Sequence, residues 1–127
     1  MDYLEYTVRV YKSGIQEWFK NGKLHREDGP AVVYSDGTEK WFKEGKLHRE
    51  DGPAVVYPGG TKLWYKYDKI HREDGPAIIY SDGNTSFYLN GNMYTQEEFE
   101  KKTKVVKELS VKDVEELLGY PVKIVKG

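Results

Sequence analysis

The stretch LHREDGPA occupies residues 24–31 and 47–54, and it returns as IHREDGPA at residues 70–77. The three copies are 23 residues apart. A constant period of this length is typical of repeat proteins, in which each unit buries its apolar residues against its neighbours. The stretch therefore predicts a repeat architecture with units at residues 7–29, 30–52, 53–75 and 76–98.

The composition of the 127-residue chain restricts the class of protein. Hydrophobic residues make up 38% and aromatic residues 14%, which is too much for a disordered chain despite a charged fraction of 32%. Twenty basic residues nearly balance 21 acidic ones. The chain therefore lacks the global positive charge on which non-specific nucleic-acid binding depends, and we do not expect such binding.

The expected location is the cytoplasm. The chain contains no cysteine, which fits a reducing compartment, and so neither disulfides nor thiolate chemistry are expected. Its first residues, MDYLEY, have neither the basic nor the apolar region of a signal peptide. No apolar run approaches the roughly 20 residues of a membrane span, so we expect no membrane association.

Each unit predicts an antiparallel hairpin. Residues 31–34, AVVY, are β-branched and aromatic and favour a strand, while residues 38–43 form the return strand. Between them, Asp36-Gly37 predicts a type I turn closed by a glycine bulge, and Gly60 and Gly83 hold the same register. Residues 44–52 then connect one unit to the next. The fold class is thus mainly β: an elongated, single-layer antiparallel sheet of about eight strands with neighbours about 4.8 Å apart.

Two aromatic columns follow the return strands. Since neighbouring residues of a strand point to opposite faces, the columns predict an aromatic ladder on each face of the sheet, part of it exposed. The first column is Trp18, Trp41, Trp64 and Phe87, and the second is Phe19, Phe42, Tyr65 and Tyr88.

The repeat ends after Tyr94, and helix signals follow. Thr95 with Glu98 matches a capping box and predicts a helix over residues 96–103. Ser110 with Asp113 predicts a second helix over residues 111–118, which Gly119 ends, and residues 121–125 predict a short final strand. We therefore expect residues 1–94 to form the sheet, and residues 95–127 to form a helix-helix-strand cap of the same structural domain.

The period, the Gly-Lys-x-His turn and the Tyr-x-Asp-Gly hairpin tip resemble MORN repeats, which are β-hairpin units of 23 residues. The usual His-Gly-x-Gly connection is replaced here by His-Arg-Glu-Asp-Gly-Pro, which is similar to the MORN-variant group. Over residues 7–126 the chain also resembles small proteins of tailed bacteriophages. The resemblance implies a hairpin-repeat fold and protein interaction, and it implies no catalytic residue.

The repeated polar residues are interpreted first as scaffold. Equivalent residues of adjacent units lie about 10 Å apart, too far for three histidines to share one metal ion. Each aspartate can hydrogen-bond its turn backbone, each arginine can pair with acids of the adjacent unit, and each histidine can donate to a carbonyl of the neighbouring turn. The residues concerned are His25, His48 and His71, with Asp28, Asp51 and Asp74 and with Arg26, Arg49 and Arg72.

Enzyme activity and cofactors are not expected. The chain has no Gly-x-Ser-x-Gly elbow, and its Asp-Gly-Thr and Gly-Gly-Thr stretches are hairpin turns with no helix after them to cradle a phosphate. The candidate interaction surface consists of aromatic and basic side chains, namely Trp18, Trp41, Trp64, Tyr65, Arg26, Arg49 and Arg72.

Two functions fit this surface. The first is a non-enzymatic protein-protein interaction module, and the phage resemblance implies that its partner is a host factor such as an anti-phage defence component. The second is a module that sequesters a nucleotide or second messenger between aromatic rings and Arg or Lys side chains.

Overall fold

In the computed structural model, which describes residues 5–103 and 111–121, short antiparallel strands are followed by two helices. The strands are β1 Thr7–Val10, β2 Gln16–Lys20, β3 Lys23–Leu24, β4 Val32–Val33, β5 Glu39–Lys40, β6 Phe42–Lys43, β7 Lys46–Leu47, β8 Val55–Val56, β9 Lys62–Leu63, β10 Tyr65–Lys66, β11 Lys69–Ile70, β12 Ile78–Ile79, β13 Thr85–Leu89 and β14 Asn92–Tyr94. The helices are α1 Gln96–Thr103 and α2 Val111–Leu118.

The strands of the main sheet follow chain order. The sequence of neighbours is β1-β2-β4-β5-β8-β9-β12-β13-β14, with β3 paired to β2, and the sheet does not close into a barrel. Every pairing between described strands is antiparallel. The predicted sheet of hairpin repeats with a helical C-terminus is confirmed.

The first hairpin of each unit closes as the sequence predicts. Gly37 has φ of +96°, its N–H donates to the carbonyl of Tyr34 (3.0 Å), and the N–H of Tyr34 donates to the carbonyl of Thr38 (2.9 Å). Gly60 and Gly83 have φ of +106° and +92°. We call these turns, residues 35–37, 58–60 and 81–83, the hairpin tips.

Each unit also contains a second hairpin, which the sequence does not predict. The return strand is interrupted at Trp41, and β6 then pairs with β7 around Glu44 and Gly45, whose φ values are +50° and +83°. Two consecutive positive φ values define a type I′ turn, whose twist matches that of antiparallel strands. The predicted continuous return strand and the plain connection over residues 44–46 are therefore wrong. The estimate of about eight strands is too low for the same reason.

The core is narrow, and alanine is its most completely buried residue type. Ala54 has no exposed surface, its carbonyl accepts the Trp41 N–H (2.7 Å), and its N–H donates to the carbonyl of Leu63 (2.8 Å). The pairing register therefore places Ala54 opposite Trp41 on one side and opposite Trp64 on the other. Equivalent buried residues occur in the last three units: Ala31, Ala54 and Ala77, followed by Val32, Val55 and Ile78.

The C-terminal end of the sheet is covered by α1. The Thr95 hydroxyl accepts the Glu98 N–H (3.1 Å) and the Glu98 carboxylate accepts the Thr95 N–H (3.0 Å), which confirms the predicted capping box. Phe99 of α1 is 4% exposed, and its ring packs 4.8 Å from that of Phe87. The repeat therefore ends where a helix occupies the place of the next unit.

The second helix also has its predicted bounds. Gly119 ends α2 with φ of +80°, and its N–H donates to the carbonyl of Glu115 (2.8 Å). No side chain of α2 is buried, and Leu117 is 76% exposed. The predicted cap at Ser110 and the predicted strand over residues 121–125 lie largely outside the described residues.

Candidate interaction surface on the connectors

Three segments, residues 25–30, 48–53 and 71–76, join successive units and are called the connectors. Each connector folds an arginine onto the tryptophan of its own unit. The Arg49 guanidinium carbon lies 3.7 Å from the centre of the Trp41 ring, and the other two pairs are at 4.1 and 4.0 Å. A guanidinium over an indole face is attracted by the ring electrons and covers that face. The other pairs are Arg26 with Trp18 and Arg72 with Trp64.

The same guanidinium holds the connector together. Arg49 Nε donates to the Asp51 carboxylate (3.0 Å), and Nη1 donates to the Pro53 carbonyl (3.1 Å). The other two copies repeat both bonds at 2.9–3.2 Å. Two expectations are therefore wrong. The arginine pairs with an aspartate of its own unit and not with an acid of the adjacent unit. The aspartate accepts from that arginine and not from the turn backbone, and the backbone is held by Arg Nη1.

The glycine of the connector makes room for this arrangement. A Cβ atom added at Gly52 would lie 2.9 Å from Arg49 Cζ. The corresponding distance to the arginine Cζ of the same connector is 2.8 Å at Gly29 and 3.1 Å at Gly75. Real Cβ contacts are essentially never shorter than 3.0 Å. The guanidinium thus packs against both the indole and the backbone of this glycine.

The histidines join each connector to the next unit. His25 Nδ1 accepts the N–H of Glu44 (2.9 Å), and His25 Nε2 lies 3.1 Å from the Glu27 carboxylate. Because Nδ1 accepts, the proton of the neutral ring is on Nε2, which donates to Glu27. His48 and His71 repeat the arrangement with the N–H groups of Tyr67 and Asn90. The histidines therefore contact the neighbouring turn as expected, but they accept from its N–H instead of donating to its carbonyl.

Both ring nitrogens of each histidine are thus engaged within the protein. In residues 5–103 and 111–121, no group of three or more His, Asp or Glu side chains is arranged to hold a metal ion.

Two equivalent clefts lie between successive connectors. The first has a volume of about 290 Å³ and is lined by residues 25–27, 41–43 and 48–51. The second has a volume of about 580 Å³ and is lined by residues 49–53, 64–66 and 71–74. Residues 41–43 and 48–51 of the first cleft recur in the second at positions 23 residues later. Consecutive connectors therefore build the same kind of cleft twice.

The clefts bring the two aromatic columns together. Trp41 and Phe42 both line the first cleft, and Trp64 and Tyr65 both line the second. That adjacent aromatic residues of the two columns occupy opposite faces stays a prediction. Burial raises the pKa of Tyr65, and the neighbouring Tyr57 adds to this effect.

Acidic groups dominate the exposed part of each connector. The arginine side chains are 23–24% exposed, whereas those of the aspartates are 81–86% exposed and those of the glutamates 54–74%. A hydrogen bond from His48 holds the pKa of Glu50 below its usual value, and Lys66 and Lys43 act in the same direction. The sequence predicts a surface of aromatic and arginine side chains, and this stays a prediction. In each connector the carboxylates are more exposed than the arginine, and Lys43 and Lys66 are exposed as well.

Sequence reasoning missed the glutamates and Lys43 as members of the site. The one available signal was the constant position of glutamate between Arg and Asp in all three copies.

Comparisons with family models, with curated proteins and with solved structures give no match for this chain. Within the described residues, neither helix has the length and apolar character needed to cross a membrane.

Proposed function

We propose that the protein is a non-enzymatic protein-interaction module that binds its partner at the connector clefts. The observation that carries this proposal is the pair of equivalent clefts, each with an aromatic wall, an exposed lysine and a rim of exposed carboxylates. Protein interfaces commonly combine aromatic anchors with a polar rim. Because each arginine is held by an indole, an aspartate and a carbonyl, the clefts are preorganised and little side-chain entropy is lost on binding.

The arrangement favours a protein partner over a nucleotide. A nucleotide would stack its base on an open indole and pair its phosphate with a free guanidinium. Here one face of each indole is covered by its own arginine, and the Nε and Nη1 groups of that arginine already donate within the connector.

The resemblance to small proteins of tailed bacteriophages supports a host protein as the partner, such as a component of an anti-phage defence system. This part of the proposal rests on the LHREDGPA stretch and its spacing.

The experiment is an affinity capture from bacterial lysate with three forms of the tagged protein. The first is the wild type, and the second carries Lys43→Glu and Lys66→Glu, which reverse one exposed charge in each cleft. The third carries Lys12→Glu and Lys112→Glu, which make the same change in net charge at exposed positions that line neither cleft.

We expect one stoichiometric protein with the wild type and the control, and at least roughly tenfold weaker binding of that protein to the cleft variant. Equal capture by all three forms, or no stoichiometric partner, would contradict the proposal. Circular dichroism checks that the variants are folded.

A further inference from the structure

The first strand is paired differently from its equivalents in later units. β4, β8 and β12 each lie between two strands of the main sheet, whereas β1 pairs with β2 alone among the described strands. All four residues of β1 are exposed, with Val10 at 70%. Within the part of the chain that the structure describes, β1 is thus an open strand edge at the N-terminal end of the sheet, and α1 packs against β13 and β14 at the other end.

The repeat identifies what this edge lacks. The carbonyl of Ala31 accepts the Trp18 N–H at 2.7 Å, and the later units repeat this bond between Ala54 and Trp41 and between Ala77 and Trp64. Val8 is the residue 23 positions before Ala31, and no N–H of the described residues outside β2 donates to its carbonyl. By analogy with the later units, a strand pairing with this edge would be of the return type.

The edge also differs in charge. Arg9 holds the position at which later units bury Val32, Val55 and Ile78, and its guanidinium lies 4.8 Å from the centre of the Phe19 ring. A charged residue at an inward position discourages an edge from pairing with another copy of itself. An antiparallel pair of two β1 strands would bring two Arg9 side chains near each other, whereas an acidic side chain opposite Arg9 would be stabilising.

We propose that β1 is a docking edge for an extended antiparallel segment of a partner protein that carries an acidic residue opposite Arg9. The segment adds a strand to the sheet, its backbone supplies the hydrogen bonds of the missing neighbour, and the acidic residue gives selectivity. This proposal rests on β1 alone and does not depend on the connector clefts.

The chain supplies two matched probes, the synthetic peptides IQEWFK (residues 15–20) and TEKWFK (residues 38–43). In the sheet, Glu17 pairs with Val32 and Lys40 pairs with Val55, which are both equivalent to Arg9. In the same register the first peptide therefore places Glu opposite Arg9, and the second places Lys there. Both end in the same Trp-Phe-Lys.

Each peptide is titrated into ¹⁵N-labelled full-length protein, and the amide resonances of β1 are followed by NMR. The expected result is perturbation centred on Val8 and Val10, with IQEWFK binding at least about threefold more tightly than TEKWFK. In an Arg9→Glu variant the preference should reverse. Absence of β1 perturbation, equal binding of the two peptides, an unchanged order in Arg9→Glu, or dimerisation of the free protein through β1 would each overturn the proposal.

Discussion

The connectors and the hairpin tips recur with the same period, but they are stabilised in different ways. A tip such as residues 35–37 is closed by local backbone bonds and by the Asp36 carboxylate, which accepts the Thr38 N–H at 2.8 Å. A connector is held by its own tryptophan, by an ion pair and, through its histidine, by the backbone of the next unit. The tips turn the chain, whereas the connectors join the units and shape the clefts between them.

The largest expected loss of stability follows from replacing the buried connector residue His48. Replacing His48 with Leu leaves the Tyr67 N–H without its acceptor and removes the ring that packs 4.1 Å from that of Tyr67. We expect a loss of about 3 kcal/mol in the free energy of unfolding, measured by urea denaturation.

His48→Asn is the matched variant, because its side-chain oxygen can occupy the place of Nδ1 while the ring is still lost. It should recover part of the lost stability. Equal destabilisation by Leu and Asn would show that the hydrogen bond between units contributes little.

A pair of glycine substitutions compares the two regions directly. Gly52→Ala places a Cβ 2.9 Å from Arg49 Cζ and displaces the guanidinium, so we expect a loss of about 1 kcal/mol. Gly59 at a tip has open space where a methyl group would lie and no positive φ, so Gly59→Ala should be neutral or stabilising by up to about 1 kcal/mol. Thermal unfolding of both variants measures the difference, and equal effects would contradict a special role for the connector glycine.

The two regions also differ in how far the sequence predicts them. The period predicts the hairpin array, and Asp36-Gly37 predicts the tip, because both depend on local propensity and spacing. The second hairpin was missed because its turn is Glu44-Gly45 in one unit and Tyr67-Asp68 in another, although Asn21-Gly22 in the first unit carries a strong type I′ signal. The predicted partners of Arg49 were wrong because they depend on how the connector folds back over Trp41, which no spacing specifies.

The smallest expected effect concerns the tip carboxylate. The Thr38 backbone N–H holds the pKa of Asp36 below its ordinary value of 3.8. A depressed pKa in the folded state stabilises the protein above the ordinary pKa, and the contribution is lost as the pH falls through the lower folded value. Asp36→Asn should therefore lower the Tm slightly at pH 7, and the gap to the wild type should narrow below about pH 4. A gap that is constant with pH would exclude a role for the charge.

The most direct test of the preorganised connectors is an NMR measurement on the arginine Nε–H groups. We predict that Arg26, Arg49 and Arg72 give three resonances that are shifted by the indole rings and protected from solvent exchange by the bonds to their aspartates. Single Arg→Lys variants assign them, and Arg9, which stacks on Phe19, is the internal reference. Four arginine resonances with similar shifts and equally fast exchange would show that the guanidiniums are free in solution, and would contradict connectors that build preorganised clefts.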